Sequence, residues 1–232
     1  MALSIDTWLK NWNKIVSVDY IKDRLDLNFF KCAVSQSIYE LRHPISPWIT
    51  IEMINILENY LKPTDTGFEF GSGSSTIWFG KKTEKVVSVE HDPRWHEKVR
   101  KMIDKHNLNT KIQLVLVDEI DEERGVGADK YIKPMLKIKD NCLDYCFIDG
   151  LFRDDCILMA IKKLKSNGVL IIDNVDNYFP RNAVSISIRY KRDNFSKTVS
   201  KTKMKAIYAI LDSWRCIWTS SAVQDTAMWI KP

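Results

Sequence analysis

Glycine is scarce in this chain, with eight among 232 residues. Their placement is therefore informative, and Gly71 and Gly73 stand only two positions apart. Proline numbers seven, and no internal repeat or low-complexity tract divides the sequence. No uncharged apolar run approaches the ~18 residues that a membrane-spanning helix needs. The stretch Met1 to Lys14 carries Asp6 and two tryptophans, with no apolar core before a small-residue cleavage site, so no secretory signal is expected. The five cysteines (Cys32, Cys142, Cys146, Cys156, Cys216) form an odd set without C-x2-C zinc spacing. They read as buried reduced thiols, and a reducing cytoplasm is the expected location. Of the four histidines, His43, His96 and His106 show no ligand spacing.

What is present suits a globular chain: 45% hydrophobic and 28% charged residues, in a length that fits one large domain or one domain with a helical extension. The charge is uneven. Between Arg181 and Lys205 lie eight basic residues (Arg181, Arg189, Lys191, Arg192, Lys197, Lys201, Lys203, Lys205) and one acid, Asp193. That segment is +7, which leaves −2 for the remainder of a chain whose net charge is +5. A local patch points to an anionic substrate or partner, with nucleic acid not expected. The segment follows the fifth strand, so it is expected to overhang the substrate side as a lid; a solvated surface loop is the alternative.

Residues 1–66 read as a helical cap. Ile5, Trp8, Leu9, Trp12 and Ile15 recur at helical spacing, a stripe that docks on the chain's own body or on a second copy in a homodimer. Pro44, Ser46 and Pro47 break the chain before a helix over Trp48 to Leu61. From 67 to 232 strand and helix alternate. Strands are predicted near 67–70, 85–89, 111–117, 143–148 and 168–172, and helices near 75–81, 93–106 and 154–165. Asp92-Pro93 marks one helix start. Asn167-Gly168 is expected to close the helix that holds Ala160, Ile161 and Leu164. Residues 118–140 read as an irregular loop. The apolar run Val169 to Ile172 implies burial on both faces, as in a parallel sheet. The pattern predicts an α/β chain with a Rossmann-like, doubly wound, mostly parallel sheet, closed by an antiparallel pair near 214–219 and 226–230.

The strand ends carry the chemistry, because open α/β sheets bind ligands beyond the carboxyl ends of their strands. The first turn reads Glu69, Gly71, Ser72, Gly73, Ser74, Ser75, Thr76. Its glycines allow close backbone approach, and its hydroxyls and N–H groups open a helix that favours an anion such as a carboxylate. Glu90, beside His91, closes the second strand where a carboxylate meets a ribose diol. A dinucleotide fold wants a small residue where Thr76 stands, and a diphosphate gains nothing from Glu69, whereas an ammonium group does. The third strand ends at Asp118, placed for an adenine amino group. The fourth ends at Asp149 and Arg153, and the fifth at Asp173-Asn174. His91 is a second candidate base beside them.

The pattern Glu69-x-Gly71-x-Gly73-Ser-Ser-Thr76 resembles the first motif of class I S-adenosylmethionine (SAM) methyltransferases. Three hard oxygen ligands, Asp149, Asp173 and Asn174, are similar to the Mg²⁺ set of catechol O-methyltransferases. That family carries a lysine three residues past its first aspartate; here position 152 is Phe, and the nearest cation, Arg153, stays protonated. The likeness to a group of bacterial methyltransferases is wider. It rests on Glu69 to Thr76, the stretch ending at Trp95, Ile148 to Cys156 and Gly168 to Asn174, and it departs at Asn167, where that group has glycine. It implies methyl transfer to an oxygen or nitrogen of a small-molecule or glycan-like acceptor, with Asp149, Arg153, Asp173 and Asn174 at the reaction centre. It also implies a cofactor held by Glu69, the 71–76 turn, Glu90, His91, Asp118 and Asp149. A non-catalytic scaffold of the same fold with an acidic partner, and an NAD-linked oxidoreductase, stay open as alternatives.

Overall fold

The computed structural model describes residues 27–121, 124–179, 199–221 and 223–232. The apolar stripe over 5–15 and most of the basic segment, including Arg189, Lys191 and Arg192, lie outside these residues. The described elements are α1 (Leu27–Arg42), α2 (Ile51–Tyr60), β1 (Thr66–Phe70), α3 (Ser74–Lys82), β2 (Lys85–Glu90), α4 (Pro93–Lys105) and β3 (Ile112–Leu116). They continue with α5 (Ala128–Leu136), β4 (Leu143–Ile148), α6 (Arg153–Lys163), β5 (Leu164–Asp173), α7 (Lys201–Leu211), β6 (Arg215–Ser220) and β7 (Asp225–Ile230).

The seven strands pair in the order β3-β2-β1-β4-β5-β7-β6. Strands β1 to β5 run parallel, and β7 lies antiparallel between β5 and β6. The order reverses between β1 and β4, and such a switch point opens a crevice above the strand ends. Helices cover both faces, which explains the continuous apolar strands: Val169 and Ile171 face one core while Leu170 and Ile172 face the other. One core joins Phe68, Phe70 and Ile148 to Tyr131 of α5, Ile157 of α6 and Ile207 of α7. The other joins Tyr145 and Phe147 to Phe79 of α3 and to Met53 and Leu57 of α2. Burial of each such side chain is worth about 1.5–3 kcal/mol, so α2 is held to the sheet by its apolar face.

Two expectations are corrected. The 118–140 stretch is not wholly irregular, since α5 runs through it. Its glycines precede the helix: Gly127, at φ 112°, is the cap, and Tyr131 and Met135 supply a buried face that outweighs Pro134 inside the helix. Asn167-Gly168 does not end a helix, because α6 stops at Lys163 and β5 has begun at Leu164. Asn167 adopts φ 63° within β5, where the register with β4 shifts between Leu143 and Tyr145. The left-handed residue thus makes a strand irregularity instead of a helix cap. The end of the basic segment is helical. Lys201, Lys203 and Lys205 belong to α7, and Lys203 Nζ binds Asp155 Oδ2 of α6 at 2.6 Å. Among the described residues no helix is long and apolar enough to cross a membrane.

Candidate functional site

The turn after β1 is built from its hydroxyls inward. Glu69 is fully buried, and its carboxylate accepts hydrogen bonds from Ser75 Oγ, Thr76 Oγ1 and Ser88 Oγ, each at 2.5 Å. Thr76 Oγ1 also accepts from the Gly73 N–H at 2.9 Å, so one side chain ties the turn to β1. Burial pushes the Glu69 carboxyl up to about 7, against the pull of the three hydroxyls. Glu69 therefore fastens the turn from below, and the hydroxyls of Ser75 and Thr76 face inward to it.

The two glycines differ in what they do. Gly71 has φ 91°, and a Cβ there would lie 2.8 Å from the Asp149 carbonyl carbon and from the Gly150 nitrogen. The fold itself demands that glycine, because the turn crosses directly over the end of β4. Gly73 is extended, and the nearest atom a Cβ would meet is Ser75 Oγ at 3.8 Å. Packing does not require its missing side chain. Space is kept open beside a helix N-terminus at the switch point, as close approach of a ligand to backbone needs.

Glu90 stands at the end of β2, almost wholly buried. Its Oε2 accepts from Ser72 N at 3.1 Å, and its Oε1 accepts from His91 N at 2.8 Å and Asp92 N at 2.9 Å. His91 Nδ1 lies 3.0 Å from the same Oε1. The carboxylate thus joins the first two strand ends directly. Trp95 stands behind them: its indole Nε1 donates to Ser72 O at 2.6 Å, and Lys98 Nζ sits 4.0 Å from its ring. Ser74 Oγ donates to Ser46 O at 2.8 Å, which ties the segment before α2 to the turn. Asp118 is exposed, on the rim of a groove of about 720 Å³ walled by Val115, Val117 and Lys130.

Arg153 organises the β4 and β5 ends. It is only 7% exposed. Its Nε donates to Gly150 O at 3.0 Å, its Nη1 to Asp173 O, and its Nη2 to Asp149 O at 3.1 Å and Asp149 Oδ1 at 2.9 Å. The Tyr178 ring lies 5.2 Å from the guanidinium carbon. About a third of the Asp149 side chain is exposed. Burial raises its carboxyl above the usual range, opposed by the Arg153 guanidinium. Asp173 is buried; its Oδ1 accepts from Thr226 Oγ1 at 2.8 Å and its Oδ2 from Asn174 Nδ2 at 2.9 Å. Burial and then the Asp149 charge push it well above the carboxylate range.

These contacts do not fit a Mg²⁺ set of Asp149, Asp173 and Asn174. Asn174 turns its amide N–H toward Asp173, and Arg153 already supplies the cation at Asp149. Among the described residues no group of three or more His, Cys, Asp or Glu is arranged to hold a metal ion.

Four residues in this frame were not singled out as site residues by the motif: Ser88, Trp95, Tyr131 and Thr226. Tyr131 fills the floor between His91 and Phe152, with ring centroids 6.4 and 6.0 Å away. Only Trp95 carried a local signal, three residues past the Asp92 cap.

No protein-family model matches the chain, and no curated protein matches it. The fold is similar to several solved structures. One is an O-methyltransferase from Bacillus cereus in complex with S-adenosylhomocysteine (SAH): 17% identity, TM-score 0.56, 98% of this chain and 100% of that one. Another is the O-methyltransferase TomG from Streptomyces achromogenes, in complex with SAM: 13% identity, TM-score 0.53, 99% and 96%. A third is a methyltransferase from Geobacter sulfurreducens: 12% identity, TM-score 0.50, 87% and 88%. At these identities the likeness concerns the fold.

Proposed function

We propose that this chain is a SAM-dependent methyltransferase acting on an oxygen or nitrogen of a small-molecule acceptor, a glycan-like one included. The observation that carries the reading is the unfilled space at Gly73, framed by a turn that Glu69 fastens and that Glu90 links to β2. The residues present fit such a ligand: open backbone for its amino-acid end, Glu90 for a ribose diol, and Asp118 on the adenine side. Bound SAM supplies an activated methyl group. The chain's own part is alignment and exclusion of water, the larger share of the rate gain for a two-substrate transfer. Arg153 holds Asp149 Oδ1, so Asp149 Oδ2 is the oxygen left to take the acceptor's proton.

The N-terminal 1–66 segment as a cap, the basic 181–205 segment as an anion-attracting lid, a cytoplasmic location and a homodimer belong to this reading as proposals. Titration calorimetry with SAM and SAH tests it. Wild type binds both, and Glu90→Ala loses about 1.5–3 kcal/mol of affinity, because the acceptor removed is charged. Binding of NAD with none of SAM overturns the reading in favour of an oxidoreductase.

A further inference from the structure

The contacts at the ends of β4 and β5 reach past the cofactor to the acceptor. We infer that Arg153 is a positioning residue standing where a divalent cation would act, so that the acceptor is a single hydroxyl or amine held by Asp149, and not a vicinal diol chelated by metal. The inference rests on the methyltransferase reading.

Three observations support it. The guanidinium is buried and donates to three backbone carbonyls from two strand ends, as well as to Asp149 Oδ1. Because Arg153 opens α6 four residues past Asp149, it is fixed by the fold and not recruited by a ligand. A guanidinium stays charged and cannot exchange for a metal's several open coordination sites. Next, with Arg153 filling the site the other two candidate ligands bond to neighbouring side chains instead. Both Asp173 oxygens accept hydrogen bonds, from Thr226 and Asn174. Asn174, held in a left-handed conformation at φ 46°, directs its amide nitrogen to Asp173 and toward Gln224 Oε1 at 3.4 Å. A metal ligand there would have to present the amide oxygen.

Lastly, of the two carboxylates only Asp149 keeps an exposed edge, and no described residue donates to its Oδ2. One carboxylate oxygen orients one acceptor O–H or N–H. It cannot grip two neighbouring oxygens, which is what a chelated metal would do. In the transfer the methyl–sulfur bond breaks as the methyl–acceptor bond forms, and the acceptor's proton passes to Asp149 Oδ2. Sulfur leaves as the neutral thioether, so charge balances without a metal.

The test is electron paramagnetic resonance of free Mn²⁺, titrated against the whole chain with and without SAH, alongside SAH calorimetry in EDTA. Wild type should leave Mn²⁺ free up to millimolar protein and should bind SAH equally well with or without EDTA. Arg153→Lys should also leave Mn²⁺ free, because the charge is kept. Arg153→Gln should immobilise Mn²⁺ at least tenfold more tightly than wild type, since the carboxylates lose their cation; a purely structural role for Arg153 predicts no such split between the two variants. Immobilisation of Mn²⁺ by wild type that Asp149→Asn abolishes overturns the inference. An Arg153→Gln chain that folds yet ignores Mn²⁺ also overturns it. If Arg153→Gln does not fold, the wild-type titration decides alone. Failure of SAH to bind would instead sink the methyltransferase reading, and the Mn²⁺ result would stand apart from it.

Discussion

The two halves of the crevice are built by opposite means. At the β1–β2 side a buried carboxylate, Glu69, accepts hydrogen bonds only from hydroxyls among the described residues. At the β4–β5 side a buried cation, Arg153, is met by three backbone carbonyls and one carboxylate. The first arrangement leaves open backbone at Gly73, suited to a bulky ligand that slides over it. The second draws four groups onto one guanidinium and leaves a single carboxylate edge. For the two-substrate site proposed above, one half is then a smooth cradle and the other a point contact.

The comparison is most sharply broken at Arg153. Truncating one member of a buried ion pair costs about 3–5 kcal/mol, because the remaining charge has no partner. Arg153→Met is therefore expected to lower the free energy of unfolding by about that much in urea titration. A loss below about 1 kcal/mol would mean that solvent already screens this side.

On the opposite side, Glu69 gives a smaller, pH-dependent effect. Its carboxyl titrates near 7 in the fold, against about 4.5 unfolded. A raised value means the folded state holds the proton more tightly. The stabilisation is full below pH 4.5 and is lost as pH rises through 7. The gap corresponds to at most about 3 kcal/mol. Wild type should melt at higher temperature at pH 5.5 than at pH 8, relative to Glu69→Gln. Equal pH slopes for the two chains would show that Glu69 ionises freely.

How much of this was legible in the sequence follows the same division. The turn after β1 was readable as a turn because its parts are local: Gly71, Gly73 and Thr76 fall within one turn of strand and helix, and Glu90 ends the next strand; Glu69, expected to meet an ammonium group, is instead buried under the turn's hydroxyls. The strands were readable because burial on both faces leaves unbroken apolar runs such as Val169 to Ile172. At the β4 and β5 ends Asp149, Arg153, Asp173 and Asn174 were named from the sequence, but their contacts were not. Asp173 and Thr226 are far in the chain from the Asp149–Arg153 pair, and whether aspartates face a metal or an arginine depends on rotamers that no spacing encodes. Helix α5 was hidden behind Gly125, Gly127 and Pro134, since its stability comes from Tyr131 and Met135 packing and not from propensity. Asn167 was misread because a left-handed asparagine serves a helix cap and a strand irregularity alike.

A weaker perturbation separates the two glycines. Gly71→Ala should destabilise the chain by about 1–2 kcal/mol from its left-handed backbone alone, with the contact at Asp149 adding to it. Gly73→Ala should change stability by less than about 1 kcal/mol, since its Cβ meets only ordinary contact distances. Thermal melts of the pair check the contrast, and equal losses would place both glycines in the service of the fold.

The most direct test of the central claim, that the space at Gly73 belongs to the cofactor, is SAM titration calorimetry on Gly73→Val beside its melting curve. The account predicts a melting temperature near that of wild type with SAM affinity reduced at least a hundredfold. A Gly73→Val chain that binds SAM as tightly as wild type would contradict it.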